Sequence, residues 1–210
     1  MKKLKYLILL AGSPGTGKTY LMNKLKEQWP AMYVVTPDEA KEYYAESIGF
    51  NSLEERQLQE KVKVWPFFYK ALDLYMEAGK KVIVSEYPFS FKQKDTLAEL
   101  ALRYDYHVIT IRLVANPETL WQRRYQRDRE SDRHLSFIMR SYHYGDRLSD
   151  PMQATNHISK EEFFQIMEAR EYDKFQLGEL YEINVNDYKN VDYKPLLTYL
   201  KARVDQDKYD

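Results

Sequence analysis

The 210-residue chain has no cysteine. That excludes a disulfide framework, thiolate metal ligation and cysteine nucleophiles, and it fits a reducing cytoplasm. An excess of one charge is lacking too: lysine plus arginine and aspartate plus glutamate each number 32, so the formal net charge is zero. Bulk attraction to nucleic acid or to an anionic membrane has no basis in that balance, although local clusters remain open. Nothing approaches the ~20 consecutive apolar residues of a membrane-spanning helix. Lys2, Lys3 and Lys5 precede an apolar segment in the manner of a signal peptide, but that segment runs only from Tyr6 to Ala11, too short for a signal core. Internal repeats, low-complexity tracts and linkers rich in Gly, Ser or Pro are also missing. The expectation is a soluble cytoplasmic protein forming a single domain over residues 1–210.

What the chain does contain is Gly12-Ser13-Pro14-Gly15-Thr16-Gly17-Lys18-Thr19, which reads G-x-x-x-x-G-K-[ST]. Before it, Tyr6 to Ala11 is apolar without polar alternation, as for a strand buried on both faces. After it, Leu21, Met22, Leu25 and Trp29 recur at helical spacing. Glycines at 12, 15 and 17 let the backbone turn tightly and aim its N–H groups inward. A polyphosphate would sit on those donors and on the positive end of the following helix. Lys18 is expected on the β/γ-phosphates and the Thr19 hydroxyl on Mg²⁺.

Short apolar strands alternate with longer helical stretches through the rest of the chain, which argues for a parallel α/β sheet. Strands are expected at Met32–Val35, Lys81–Glu86, Tyr106–Leu113 and Leu180–Val185. Thr36, Ser52, Ser90 and Ser159 each stand three residues before Glu or Gln, marking helix starts. The helix from Ser52 to about Gly79 contains Pro66, which should kink or split it. Asn116-Pro117-Glu118 opens another helix, residues 131–158 suggest one short helix and a loop, and the helix from Ser159 is expected to close at Gly178. A last helix runs from Tyr193 to about Val204. Five such strands make a doubly wound sheet with its ligand at the C-terminal strand edges.

Several phosphate-loop classes are disfavoured. No N-K-x-D guanine-recognition string follows the loop, no L-S-G-G-Q-like string occurs, and the third strand ends Val84-Ser85-Glu86 rather than in Asp-Glu. These absences argue against a GTPase, a transporter ATPase and a hydrolytic motor. Four segments then carry a resemblance across nearly the whole length. They are the loop at 12–19, Thr36-Pro37-Asp38 after strand two, Ser85-Glu86-Tyr87-Pro88 at the end of strand three, and Leu120-Trp121-Gln122-Arg123 with Arg127. Together they resemble the small P-loop kinases, a group including nucleoside monophosphate kinases, polynucleotide 5′-hydroxyl kinases, antibiotic phosphotransferases and zeta-type toxins. The resemblance implies a three-layer α/β P-loop NTPase fold. Its five-stranded parallel sheet would have the order 2-3-1-4-5, with helices on both faces and an arginine-bearing lid at about 116–158. It implies ATP and Mg²⁺ as cofactors, and γ-phosphoryl transfer to a hydroxyl of a small molecule or a nucleic-acid end.

Within that frame Asp38 is the candidate base facing the acceptor hydroxyl; its position equally suits an acid that favours a helix dipole. Glu86 could reach a Mg²⁺-bound water, with Ser85 the alternative by one residue of register. Arg123 and Arg127, four apart on one helical face, suit a transferring phosphoryl group. Arg124, Arg129 and Arg133 read as surface or steering charge. The four histidines show no metal-ligand spacing, and the aromatics between strands two and three read as core more than as a stacking platform. A nucleic-acid groove would draw on Lys41, Lys61, Lys63, Lys70, Lys92 and Lys94, which look like solvated faces. Only Arg56 falls between residues 37 and 102. That makes the acceptor side look poor in phosphate clamps and disfavours a nucleoside monophosphate kinase. The remaining alternative is a nucleotide-binding regulatory ATPase without a small acceptor.

Overall fold

The computed structural model describes residues 4–204. Five parallel strands form one sheet in the order β2-β3-β1-β4-β5. The central strand β1 (Tyr6–Ala11) is buried along its whole length, which is why its sequence shows no alternation. It pairs with β3 (Val82–Glu86) on one side and β4 (His107–Val114) on the other. β2 is only Tyr33–Val34, shorter than expected. As an edge strand it meets β3 at Ile83 and Val84 alone, and a short edge offers little to a stray strand. β5 (Glu179–Asn184) closes the other edge.

Side-chain parity along β1 builds two cores. Tyr6, Ile8 and Leu10 face α1 (Lys18–Gln28) and α8 (Lys194–Val204), through Leu21, Met22, Leu25, Leu196 and Leu200. Leu7, Leu9 and Ala11 face α4 (Trp65–Glu77) and α5 (Phe91–Tyr104), through Phe68, Leu72, Leu97 and Leu100. Helices therefore cover both faces of the sheet. Truncating one of these buried leucines to alanine would cost ~2–5 kcal/mol.

The capped starts form where expected, with one modification each at Thr36 and Ser52. Thr36 accepts from Glu39 N at 3.4 Å to start α2 (Pro37–Ile48). Ser52 accepts from Glu55 N at the start of α3 (Leu53–Gln59), while the Glu55 carboxylate reaches Asn51 N rather than Ser52 N. Ser159 and Glu162 exchange both bonds of a capping box at α7 (Lys160–Arg170).

The helix holding Pro66 divides in two as expected, with a π-helical turn over Glu60–Val64 between α3 and α4 and Trp65 N bonded to Glu60 O. Proline has no N–H and displaces the carbonyl four residues back, and a widened turn absorbs both effects. Two other expectations are corrected. The stretch 131–158 holds two 3₁₀ turns, Leu135–Phe137 and Pro151–Gln153, in place of a short helix. α7 stops at Arg170 rather than at Gly178, with Glu171 in the left-handed region at φ 47°. Phe175, fully buried, then stacks on Phe89 at 5.4 Å and anchors the crossing to β5.

The segment after α6 (Pro117–Arg127) folds back over α2 and α3. Phe50 and Tyr142 exchange two backbone bonds of 2.8 and 2.9 Å, and Arg56 Nη1 donates to Ser136 O at 2.7 Å. No helix among the described residues is long and apolar enough to cross a membrane.

Candidate active site

The loop between β1 and α1 has Gly12, Gly15 and Gly17 all at positive φ, 125°, 89° and 82°. At Gly12 a Cβ would lie 2.3 Å from Leu113 O of β4, so only glycine fits. Thr16, fully buried, closes the turn by donating to Ser13 O at 2.9 Å. Lys18 Nζ donates to Gly12 O and Ser13 O at 2.9 and 3.0 Å. Burial lowers the Lys18 pKa to about 8, against the opposing pull of Glu86 and Asp38.

Parity at the end of β3 separates Glu86 from Ser85. Glu86 stands opposite Leu10 and accepts from Thr19 Oγ1 at 3.0 Å, while Ser85 is fully buried on the other face of the sheet. The second Glu86 oxygen is buried without a protein partner, and burial raises the carboxyl pKa. A hydroxyl beside a carboxylate with one orphaned oxygen fits a hard divalent cation. No cluster of three or more His, Cys, Asp or Glu that could hold a metal ion occurs among the described residues. Such a cation would therefore complete its shell with phosphate oxygens and water, as Mg²⁺ commonly does.

Asp38 sits in the first turn of α2, about half exposed, with its carboxylate 3.6 Å from Lys41 Nζ. Lys41 is nearly buried; it also reaches Glu60 at 3.5 Å and donates to the Tyr87 hydroxyl at 2.9 Å. Two carboxylates and a buried phenol raise its pKa above the ordinary lysine range despite the cost of burial. The π-turn supplies Glu60, so the distortion forced near Pro66 lies within the site.

Arg123 and Arg127 both reach the same cavity as the loop. Arg123 stacks on Tyr188 with its guanidinium 3.4 Å from the ring centre and donates to Asn186 O at 2.8 Å. The Tyr188 hydroxyl in turn bonds Gly15 O. Arg127 lies 3.5 Å from Asp128, and its buried Nε has no partner. Asp128, 7% exposed, also holds Arg124 at 3.1 Å and Arg133 at 3.3 Å. Burial lowers the Arg124 pKa, and burial together with Arg127 lowers Arg133 to about 10.

A cavity of about 870 Å³ joins these groups. It takes in Gly15, Lys18 and Thr19 of the loop, together with Asp38, Glu86, Arg123 and Arg127. Sequence reasoning missed Glu60 and Tyr188 as neighbours of the site, and it read Lys41 as a solvated face and Tyr87 as core. Of the arginines read as surface or steering charge, Arg124 and Arg133 line the cavity, together with Arg56 and Arg170. The wall facing the loop is thus rich in guanidinium groups, contrary to the expectation of few phosphate clamps. Arg129 does lie outside, against Tyr125. Of the six lysines considered for a nucleic-acid groove, Lys41 alone lines the cavity. His134 and His143 do not line it; they pack against Tyr142 and Gly49.

Comparison with known proteins agrees with this architecture. No curated protein matches the chain. Solved structures share the fold over nearly its full length. A candidate kinase from Chloroflexus aurantiacus is 15% identical with 98% of each chain covered and a TM-score of 0.68. The tunicamycin resistance protein of Deinococcus radiodurans is 17% identical with 95% of each covered and a TM-score of 0.52. A gluconokinase from Sinorhizobium meliloti is 11% identical, covering 98% of this chain and 94% of that one, with a TM-score of 0.51. The sequence profile of an AAA domain matches residues 7–141, strand β1 through the segment beyond α6. The chain belongs to that AAA-domain family and carries the fold of the small P-loop kinases.

Proposed function

We propose that this protein is an ATP-dependent phosphotransferase that moves the γ-phosphoryl group of ATP onto a hydroxyl of a small acceptor. The observation that carries the reading is the convergence of Lys18, Asp38, Glu86 and Arg127 on one cavity. The kinase character of proteins sharing the fold supports the same reaction class.

The backbone N–H groups of the loop, Pro14 having none, and the N-terminus of α1 receive the triphosphate. Lys18 exchanges its two carbonyl acceptors for phosphate oxygens, which restores the charge that burial disfavours. Arg127 and Arg123 each keep a buried N–H without a partner, available to the charge spread over the transferring group. Thr19 and Glu86 would hold Mg²⁺, which neutralises phosphate charge when bound. Asp38, tethered by Lys41, orients the acceptor hydroxyl. A new bond forms from that oxygen to the γ-phosphorus, the bond to the bridging oxygen breaks, ADP leaves, and the hydroxyl proton passes to the Asp38 carboxylate.

The test is Asp38→Asn with labelled ATP and a panel of hydroxyl acceptors. We expect ATP affinity within about threefold of wild type and transfer reduced ~10²–10⁴-fold. Unchanged transfer would remove Asp38 from the base role. ATP hydrolysis that no acceptor stimulates in the wild-type protein would favour a regulatory ATPase instead.

A further inference from the structure

The cavity carries guanidinium groups beyond those that border the phosphate loop. Eight cations line it against four carboxylates, in a chain of zero net charge. Lys18, Arg123 and Arg127 border the loop. Lys41 and Arg56 are matched by Asp38 and Glu60 at 3.0–3.6 Å. Arg124, Arg133 and Arg170 remain. The carboxylate set against the first two is Asp128, whose single charge is shared with Arg127. Arg170 is half-buried and forms no ion pair among the described residues. Glu130, the other lining acid, is exposed and pairs with none of them.

Phe137 lies against both Arg133 and Arg56, and Arg56 pairs with Glu60, which reaches the Lys41 that holds Asp38. Arg133 is thereby tied to the Asp38 side of the cavity, with Arg124 beside it on Asp128 and Arg170 on the same lining. The ring of Phe137 backs Arg133, 4.3 Å from the guanidinium carbon. Forks held in this way, with their charge incompletely matched, suit a planar or tetrahedral anion.

We propose that Arg124, Arg133 and Arg170 form an anion subsite separate from the phosphate loop, taking the carboxylate or phosphate of a small hydroxyl-bearing acid that serves as acceptor. The acceptor's role rests on the phosphotransferase reading; the subsite itself does not. An anion held by Arg133 leaves the rest of the acceptor beside Asp38, where its hydroxyl is needed.

The deciding experiment fills the donor site with Mg²⁺ and a non-hydrolysable ATP analogue, then titrates inorganic sulfate by calorimetry. We expect one sulfate per chain, with affinity at least about tenfold weaker in R133Q and R170Q, one good charge-assisted contact each. In R170Q, which leaves the Asp128 cluster intact, affinity for the nucleotide analogue should be unchanged. R170Q guards against misfolding, because Arg170 holds no ion pair in the fold. Absence of sulfate binding to the nucleotide-filled wild-type protein, or equal affinity in both variants, overturns the subsite. Turnover is then measured with labelled ATP on matched pairs, ribose 5-phosphate against ribose and gluconate against glucose. A higher kcat/KM for the charged member of a pair supports the acceptor class. Preference for the neutral members overturns it while leaving the phosphotransferase reading intact. Sulfate binding without transfer to any acceptor sinks the phosphotransferase reading and keeps the subsite.

Discussion

Gly12→Ala is the sharpest perturbation of the loop. Gly12 has φ +125°, and its missing Cβ would lie 2.3 Å from Leu113 O and 3.2 Å from Thr16 Oγ1. Leu113 cannot step aside, because its residue pairs with Ile183 in the β4–β5 ladder. Two costs add. The backbone conformation, beyond the left-handed helical region, costs about 1–3 kcal/mol for an L side chain, and overpacking against fixed backbone adds about 1–3 kcal/mol. Together that is ~2–6 kcal/mol, or about 4–24 °C in Tm for a chain of this size. Gly79→Ala is the control. It has φ +67° and nothing within 4 Å of the added Cβ, so it carries only the left-handed backbone cost of ~1–2 kcal/mol, about 2–8 °C. Thermal unfolding followed by far-UV circular dichroism separates the two. If Gly12→Ala melts within about 2 °C of Gly79→Ala, the close approach of loop and β4 is not what requires glycine.

Three further outcomes follow from the site. Lys18 has its pKa held at about 8 by burial, and bound phosphates raise it. Binding above that pH therefore takes up a proton, and affinity for an ATP analogue should fall roughly tenfold per pH unit above 8. Calorimetry from pH 7 to 9.5 checks this; a flat wild-type profile, or the same slope in K18R, would contradict it. Asp128→Asn leaves three guanidiniums around a neutral amide and should cost about 3–5 kcal/mol in urea unfolding; a loss under ~1 kcal/mol would mean the cluster is solvated. Arg56→Ala removes the bond to Ser136 O and the contacts with Phe50 and Phe137. Amides of 134–142 should then exchange faster while those of β1 keep their protection, and unchanged exchange in 134–142 would show that Arg56 does not hold this segment down.

The elements legible in the sequence are those whose signal is local. Tyr6–Ala11 reads as a doubly buried strand because both of its faces are apolar, and the Ser and Thr starts read as caps because the bonds they make span three residues. Strand order came from resemblance alone, since no periodicity encodes which strand lies beside which. The failures share a non-local cause. Residues 131–158 have no period because they are held by a few bonds to distant groups, such as Arg56 to Ser136, 80 positions apart. α7 ends early although Glu171 is no glycine. An αL residue there costs ~1–2 kcal/mol, and burying Phe175 against Phe89 offsets it at a distance the local sequence does not reveal.

The same division runs through the site. The donor half is contiguous because one backbone must wrap the phosphates with successive N–H groups, so eight neighbouring residues had to be written together. The opposite wall is gathered from α2, α3, the π-turn, α6, the segment after it and the end of α7. There a helix-face argument selects Arg123 and Arg127 for their spacing yet passes over Arg124, which lines the same cavity. Arg124 turns inward because Asp128, four residues on, is buried and holds it at 3.1 Å. In sequence Asp128 looks like one more charge in an arginine-rich run. Its burial gathers three cations onto one carboxylate, and the incomplete cancellation creates a positive field that a net charge of zero conceals. The composition was balanced over the whole chain, while the chemistry depends on where that balance locally fails.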